Sequence, residues 1–354
     1  MNAPFHPPRT VVRRADPGDR AAISAFFATQ EGASPFHDAR WLGAVERSTG
    51  HKTHVLVAER GGAISALLPL HEVHSPLFGR ALVSTGFAVG GGILAANEAD
   101  ADALAEAAEC LAERLSCPTI ELRGGVLPER AGWHVKRDSH AGFVRDLAAD
   151  DEAQLLAIPR KQRAEVRRGL GGDLEIRTGT GPLDRDRHYA VYAESVRNLG
   201  TPVFPRKLFE AVLDGLGDDA DILTVLAGGT PVASVLNLYH RKAVMPYWGG
   251  GTWPARALRA NDVMYYALMN HARRRGCDRY DFGRSKVGTG AYHFKRNWGF
   301  EPQPLAYATW TANGAEPRDV NPLSPRYQAR IRLWQKLPLA VANRLGPLIA
   351  AGLA

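Results

Sequence analysis

The order of secondary-structure elements predicted from the sequence occurs twice, and this repeat limits the possible fold more than any other feature. The first copy has a strand near Val11, a helix, a hairpin at 53–70, a helix at 99–115 and a strand at 119–122. Alternating apolar residues predict the strands, and apolar residues spaced three or four apart predict the helices. The same order returns between residues 174 and 282.

Two copies of one mixed unit predict an α+β (mixed α/β) protein with two modules. The character of the sequence changes near residue 150. We therefore predict modules at 1–150 and 151–312, followed by a separate helical tail at 313–354. The length of 354 residues agrees with two domains, because one domain usually has about 100–200 residues.

The composition excludes several classes of protein. Hydrophobic residues make up 45% and charged residues 23%, which excludes a disordered chain and a disulfide scaffold. No apolar run is long enough to span a membrane, and the N-terminus lacks a signal-peptide pattern, so we expect a cytoplasmic protein. The formal net charge of +7 suits an anionic partner, or simply a solvated surface. The three cysteines and twelve histidines form no metal-binding pattern, so no metal site is predicted.

The segment 326–354 is basic and amphipathic. It has five basic residues and no acidic residue, and its apolar residues follow a helical period that Pro338 interrupts. Two interpretations remain open: a helix docked on the body of the protein, or a segment at a membrane surface. The basic residues are Arg326, Arg330, Arg332, Lys336 and Arg344.

Three stretches are candidates for chemistry, and the densest is 280–300. A loop with three glycines, at 283, 288 and 290, lies there beside the cations Arg284, Lys286 and Lys295 and the aromatic residues Tyr292 and Phe294. Glycines let the main chain approach a ligand closely, and the cations could hold a phosphorylated or carboxylated substrate. A glycine-rich turn with solvated charges is the alternative.

The second stretch, 158–170, is strongly basic. Arg160, Arg163 and Arg167 fall on one helical face, and Lys161 lies beside it. Arginine forks match phosphate geometry, although a solvated basic helix explains the pattern equally well.

The third stretch leads from a strand with Tyr247 and Trp248, through glycines 249–251, to a helix that Asn261 or Asp262 could cap. A glycine loop before a helix N-terminus can bind an anion through free N–H groups. The spacing does not match a nucleotide P-loop, and capping alone is the alternative.

These stretches together give the sequence a family resemblance. The part from about 220 to 304, with the basic helix, resembles the FemAB-like branch of the GNAT acyltransferase superfamily. Within that branch, the chain is most similar to proteins associated with exosortase/PEP-CTERM exopolysaccharide loci, and the likeness covers most of its length. The resemblance implies tandem GNAT-like modules. The segments that carry it are PRKQRAEVRRGL, GTPVFPRKLFEAVL, VASVLNLY, PYWGGG, RANDVMYYALMNHARRRG and YDFGRSKVGTGAYHFKRNWGF.

The resemblance also implies acyl transfer to an amine. Family members that act on peptidoglycan precursors transfer an aminoacyl group from a charged tRNA, and they carry a Tyr-x-Phe-Lys segment. Here that segment is Tyr292-His293-Phe294-Lys295. By the family pattern, Lys295 neutralises negative charge during transfer, and Phe294 positions its carbonyl near the attacking amine. Tyr292, Phe294 and Lys295 are thus the predicted catalytic residues. The predicted substrate-binding residues are Arg284, Ser285, Lys286, Arg160, Lys161, Arg163, Arg167, Tyr239, Tyr247, Trp248, Asn261 and Asp262.

The sequence does not select one acyl donor. It lacks the long helical arm that binds tRNA and the usual acetyl-CoA pyrophosphate pattern. Acyl-CoA, acyl carrier protein and aminoacyl-tRNA therefore all remain open, and no tightly bound cofactor is expected.

The expected partner is an anionic small-molecule or lipid-linked glycan substrate of cell-envelope or exopolysaccharide biosynthesis, and no DNA. Residues 326–354 are a candidate contact with the inner face of the plasma membrane. The alternative function is a non-catalytic protein that binds glycans or polyanions on a degenerate acyltransferase scaffold.

Overall fold

The computed structural model describes residues 10–312 and 325–353. The N-terminal residues 1–9 and the beginning of the predicted tail, 313–324, lie outside this part. The fold is mixed α/β, with two sheets and, among the described residues, eleven α-helices. The described residues form two compact units: 10–137 with 306–312 and 352–353, and 138–305 with 325–351.

The first unit is built on a mostly antiparallel sheet. Its strands lie in the order β1-β2-β3-β4-β6-β15-β7, with the short β5 on β3. Helix α3 begins where the Asn97 side chain accepts a hydrogen bond from Asp100 N, and it buries Leu104, Ala108 and Leu111 against the sheet. The elements up to β7 are β1 (Val11–Arg14), α1 (Arg20–Thr29), α2 (Ala39–Thr49), β2 (Lys52–Arg60), β3 (Ala63–Ser75), β4 (Gly79–Ser84), β5 (Leu94–Ala95), α3 (Glu98–Arg114), β6 (Thr119–Arg123) and β7 (Trp133–Gly142).

The second unit has a six-stranded sheet in the order β8-β13-β12-β11-β10-β9. Its strands are β8 (Val144–Asp146), β9 (Leu174–Gly179), β10 (Ala220–Ala227), β11 (Thr230–His240), β12 (Ala243–Gly251) and β13 (Arg279–Asp281). The last two strands along the chain, β14 (Ser285–Lys286) and β15 (Gln303–Thr311), belong to the other sheet. The helices are α4 (Asp151–Ala157), α5 (Arg160–Leu170), α6 (Pro182–Leu199), α7 (Arg206–Leu216), α8 (Ala260–Arg274), α9 (Gly290–Asn297), α10 (Pro325–Gln335) and α11 (Leu339–Ala350).

The predicted repeat is present in three dimensions. The order β1-α1-α2-β2-β3-β4-α3-β6 in the first unit corresponds to β9-α6-α7-β10-β11-β12-α8-β13 in the second, apart from the short β5. In each copy, the strands on either side of the long helix pair in parallel, β4 with β6 and β12 with β13. The tandem arrangement predicted from the sequence is therefore confirmed.

The parallel pair of the second unit is short. Ala243 and Val244, the first two residues of β12, pair with Arg279 and Tyr280 of β13. Strand β13 ends at Asp281, whereas β12 continues to Gly251 with no further pairing to β13, and α8 begins at Ala260. Ligands bind at the carboxyl ends of parallel strands in α/β sheets, so the end of this pair is a candidate ligand site.

The tail helices α10 and α11 contact α6 of the second unit. Arg197 on α6 donates a hydrogen bond to the carbonyl oxygen of Gln335 at 3.2 Å, and Gln335 donates to the carbonyl oxygen of Asn198 at 3.0 Å. Gly200 lies at φ +81°, directly against Ile331. In the described part, the tail is thus docked on the second unit.

Candidate functional site

The Tyr-x-Phe-Lys segment forms helix α9, a short helix that the sequence pattern does not predict. Thr289 caps the helix by accepting a hydrogen bond from Tyr292 N. The helix turns Lys295 inward, so that this side chain is only 9% exposed. Its Nζ lies 5.4 Å from the ring centre of Phe143 and 5.5 Å from that of Phe282. Both distances allow cation–π attraction.

The Lys295 amine holds the loop that follows β13. Nζ donates hydrogen bonds to the carbonyl oxygens of Gly283 at 3.1 Å and Arg284 at 3.0 Å. Burial lowers the pKa of Lys295 to about 7, although nearby Asp281 favours the charged form; Arg284 lowers the pKa further. Near neutral pH, this group can therefore exist in both protonation states.

Asp281 is a site residue that the sequence analysis did not name. It ends β13, and one of its carboxylate oxygens accepts a hydrogen bond from Gly283 N at 2.8 Å. Burial raises its pKa, while the Gly283 N–H and the Lys295 charge act in the opposite direction. The available signal was an acid at the end of a buried strand, just before a glycine loop, but an exposed turn gives the same pattern.

The predicted substrate-binding residues next to Lys295 follow the same loop. Arg284 precedes β14, and Lys286 ends that strand. The main-chain carbonyl oxygen of Lys286 accepts a hydrogen bond from the Thr289 hydroxyl at 2.7 Å. Ser285 is buried, and its hydroxyl has no hydrogen-bond partner in the described part of the chain. An unpartnered buried hydroxyl beside a loop that Lys295 orders is available to a polar ligand atom.

Aromatic side chains connect α9 to α8. Phe294 lies 5.7 Å from the ring of Tyr265, which is in the first half of α8, and 6.2 Å from that of Trp298. Tyr292 meets Phe143 edge-on at 5.5 Å. Such rings order the wall around Lys295, and they keep water away from its amine.

The N-terminus of α8 has no side-chain cap. Arg259 occupies the N-cap position at φ +57°, and its side chain makes no capping hydrogen bond. Neither predicted cap acts as one. The Asp262 carboxylate accepts a 2.6 Å hydrogen bond from Gln162, and burial raises its pKa, whereas the Asn261 side-chain oxygen is buried with no partner among the described residues. The first N–H groups of α8 therefore stay available to an anion.

The basic helix α5 packs against this N-terminus. Glu165 forms an ion pair with Arg259 at 2.7 Å, and a Cβ placed at Gly169 would lie 2.5 Å from a Val263 methyl group. Arg163 donates to the carbonyl oxygen of Leu156 at 3.0 Å. Three exposed cations on α5 make no ion pair within the described residues: Arg160, Lys161 and Arg167.

The other three predicted substrate-binding residues lie elsewhere on the sheet. The Tyr239 hydroxyl donates to the Asp221 carboxylate at 2.9 Å, and the Arg275 guanidinium stacks over its ring at 4.0 Å. Trp248 is buried against Phe209 at 4.7 Å. The third residue, Tyr247, is half-buried beside Trp248, with the two ring centres 5.0 Å apart. The contacts of Tyr239 and Trp248 are those of structural side chains.

Neither a metal cluster nor a membrane span is found in the described ranges. No group of three or more His, Cys, Asp or Glu side chains in 10–312 and 325–353 is placed to hold a metal ion. No helix in these ranges combines the length and hydropathy needed to cross a bilayer.

Sequence comparison identifies the domain to which this part of the chain is similar. Residues 157–296 match the sequence model of the acetyltransferase (GNAT) domain, and this stretch runs from the last residue of α4 to the residue after Lys295. Residues 157–296 thus carry a GNAT domain within a tandem GNAT-like fold. A search of curated proteins gives no significant match.

Solved structures extend the likeness to most of the chain. FemX is similar with a TM-score of 0.64 at 13% identity, over 86% of this chain and 98% of FemX. A tandem GNAT protein from the clavulanic acid biosynthesis pathway has a TM-score of 0.56 at 14% identity, over 87% of this chain and all of that protein. The C-terminal domain of a candidate lysylphosphatidylglycerol synthetase from Agrobacterium fabrum has a TM-score of 0.54 at 14% identity. The match covers 83% of this chain and 92% of that domain's chain. At these identities the likeness shows the fold.

Proposed function

We propose that this protein is an N-acyltransferase. It transfers an acyl or aminoacyl group to the amine of an amino sugar or glycan precursor in cell-envelope or exopolysaccharide biosynthesis. The observation that carries the proposal is the buried Lys295 amine, held by two main-chain carbonyls beside the carboxyl end of the GNAT sheet. The FemAB-like resemblance supports the choice of acceptor, and the PEP-CTERM association is the finer part of the same proposal.

The chemistry assigned to Lys295 is stabilisation of an oxyanion. The acceptor amine attacks the acyl carbonyl carbon, forming a C–N bond, and the carbonyl electron pair moves to oxygen. When that pair returns, the bond to the leaving group breaks, and the proton lost by nitrogen neutralises the leaving group. A charged lysine has three N–H donors, two of which are used by Gly283 and Arg284. The third is free to meet the oxyanion in a site with little water.

The donor that best suits the site carries phosphate. The uncapped N-terminus of α8 lies beside α5, whose Arg160, Lys161 and Arg167 have no ion-pair partner in the described part of the chain. The partial positive charge of a helix N-terminus adds to these cations. Acyl-CoA, a phosphopantetheine-bearing carrier protein and aminoacyl-tRNA all share this chemistry.

A donor screen with a matched pair of variants tests this function. Thermal shift against each phosphate-bearing donor, followed by product detection with amino sugars, should identify one donor class. Lys295→Ala should lower transfer by about 100-fold or more, the usual effect of losing an oxyanion donor, and leave donor binding largely intact. Lys207→Ala, an exposed lysine on α7, is the control and should change neither. Equal activity of wild type and Lys295→Ala would refute the catalytic assignment.

A second candidate function is binding of glycans or polyanions without catalysis. One observation in its favour is that the Lys295 amine already donates to two main-chain carbonyl oxygens, as a purely structural lysine would. The other is the set of exposed cations on α5. Binding of this kind weakens steeply with salt and does not depend on Lys295. Polyanion binding of that kind, without acyl transfer from any donor, would favour this candidate.

A further inference from the structure

Helix α11 has two apolar faces, and only one of them is buried. The buried face consists of the small residues Ala342, Gly346 and Ala350, each four positions from the next. A Cβ placed at Gly346 would lie 2.9 Å from both the main-chain nitrogen and a methyl carbon of Val203. The helix therefore docks closely through this face, and its other face points away from the contact.

The outer face of α11 exposes large apolar side chains. Val341 is 41% exposed, Leu345 is 42% exposed and Leu348 is 77% exposed. Their spacings of four and three place them in one row, and Arg344 lies in the same row. Single exposed leucines are normal on a soluble protein, but a row of them along one helix marks a surface that another apolar phase covers.

The charged residues of the tail segment all have one sign. Helix α10 exposes Leu333 at 68%, and Arg332 and Lys336 precede and follow it in the sequence. Arg332, Lys336 and Arg344 form no ion pair within the described residues, and the sequence has no acidic residue from 325 to 353. We call these exposed residues of the two tail helices the tail face: Arg332, Leu333, Lys336, Val341, Arg344, Leu345 and Leu348.

We propose that the tail face binds the surface of an anionic lipid bilayer. Long cations between exposed leucines suit the boundary of a bilayer, where the apolar side chains enter the acyl region and the cations reach the phosphates. Because α11 remains docked on Val203 through its inner face, the second unit is carried to the membrane without unfolding the tail. The two interpretations left open by the sequence are thus compatible. This inference does not depend on the acyl-transfer proposal.

The test is co-sedimentation of the full-length protein with vesicles. One set contains equal parts of phosphatidylglycerol and phosphatidylcholine, and the other contains phosphatidylcholine alone. We expect binding to the anionic set. Leu348→Asp should weaken binding to these vesicles at least tenfold because it removes an apolar side chain that would enter the acyl region and adds a negative charge. Arg344→Gln should weaken binding to anionic vesicles by about fivefold and leave binding to neutral vesicles unchanged.

Leu183→Asp is the matched control. Leu183 is 59% exposed and undergoes the same change of charge, but it lies at the first turn of α6, whereas the tail contacts the last turn near Arg197. At 1.5 Å per helical residue, about 20 Å separate the two ends. This variant should bind vesicles as the wild type does, and circular dichroism should show all three variants folded.

Several outcomes would overturn the proposal. Wild-type protein that stays in solution with anionic vesicles would do so, as would equal losses for Leu348→Asp and Leu183→Asp. A dimer in the absence of lipid that Leu348→Asp converts to a monomer would show that a second copy covers the tail face. Because the readout is sedimentation, failure here leaves the acyl-transfer assay unaffected.

Discussion

The amine of Lys295 lies 3.0 Å from the carbonyl oxygen of Arg284, so the predicted catalytic residue also fixes the loop of predicted substrate-binding residues. A change at Lys295 is therefore expected to act in two ways, on the charge available to the reaction and on the position of Ser285 and Lys286.

Lys295 should make stability depend on pH in a defined window. Between about pH 7 and the ordinary value of 10.5, the unfolded chain binds a proton at Lys295 that the folded chain does not bind. The free energy of unfolding should therefore rise with pH there, by up to about 1.4 kcal/mol per pH unit. Lys295→Met lacks this dependence, so the stability difference between the two proteins should change from pH 7 to 9 in urea titrations. Parallel stability curves would mean that the pKa of Lys295 is not depressed.

Transfer should have a bell-shaped pH profile. The acceptor amine must lose a proton, so kcat/KM first rises with pH; Lys295 must keep its proton, so kcat/KM falls above the pKa of about 7 in the free protein. Lys295→Arg stays charged at all these pH values, so its residual activity should lack the alkaline fall. The measurement is kcat/KM from pH 5.5 to 9.5 for both proteins. An alkaline limb in Lys295→Arg would assign that limb to another group.

The exposed cations of α5 should strengthen donor binding. Replacing Arg160, Lys161 and Arg167 together by Gln should weaken the phosphate-bearing donor about tenfold at low salt, because each exposed cation contributes about 0.5 kcal/mol. The difference should shrink as salt screens the charges. Calorimetric titration at two salt concentrations measures both effects, with Lys207→Gln as control. If the triple variant bound the donor with unchanged affinity, the assignment of α5 to the donor site would be wrong.

Close packing of α5 on α8 should tolerate no added side chain. Gly169→Ala places a Cβ 2.5 Å from a Val263 methyl carbon and 3.1 Å from the Arg259 carbonyl oxygen, so we expect a loss of about 1–3 kcal/mol. Gly171→Ala is the control: its Cβ would meet only ordinary contacts at 3.6 and 3.7 Å, and its φ of −79° suits alanine. Denaturant unfolding compares the two. Similar stability for both variants would show that α5 moves to accept the methyl group.

Acid should destabilise the second unit through His188. This ring is fully buried, with Nδ1 3.0 Å from the Ser234 hydroxyl, and burial lowers its pKa to about 3. As pH falls from 6.5 towards 3, the unfolded chain takes up a proton that the folded chain does not, so stability falls by up to about 1.4 kcal/mol per pH unit. We expect His188→Gln to be less stable than the wild type at pH 7. Its free energy of unfolding should, however, fall less than that of the wild type between pH 6 and pH 4. An unchanged pH slope would point to other groups.

Local patterns predicted most of the elements. The helical spacing and the alternating strands predicted the repeat, because both copies bury the same kind of apolar face. Helix α9 was missed because Gly288 lies just before it and Gly290 begins it, and because its eight residues are too few to show a period. The short helix matters because it turns Lys295 inward.

Contacts between residues that are far apart in the sequence could not be predicted from local patterns. Residues 306–312, which the sequence groups with the second module, belong to the first compact unit because β15 pairs with β6. The Tyr239 hydroxyl donates to Asp221, on a neighbouring strand of the folded sheet, and this contact could not be read from the sequence.

The sequence by itself determined the fold class, the repeat and the basic character of the tail, since these depend on composition and local spacing. Only the tertiary structure decided the state of the chemical groups. The depressed pKa of Lys295 requires Phe143 and Phe282, which lie 152 and 13 positions away along the chain, to exclude water around it. Similarly, α11 has a buried and an exposed apolar face only because Val203 meets Gly346. Burial and charge at a site are sums over neighbours in space, and the chain brings those neighbours together only when it folds.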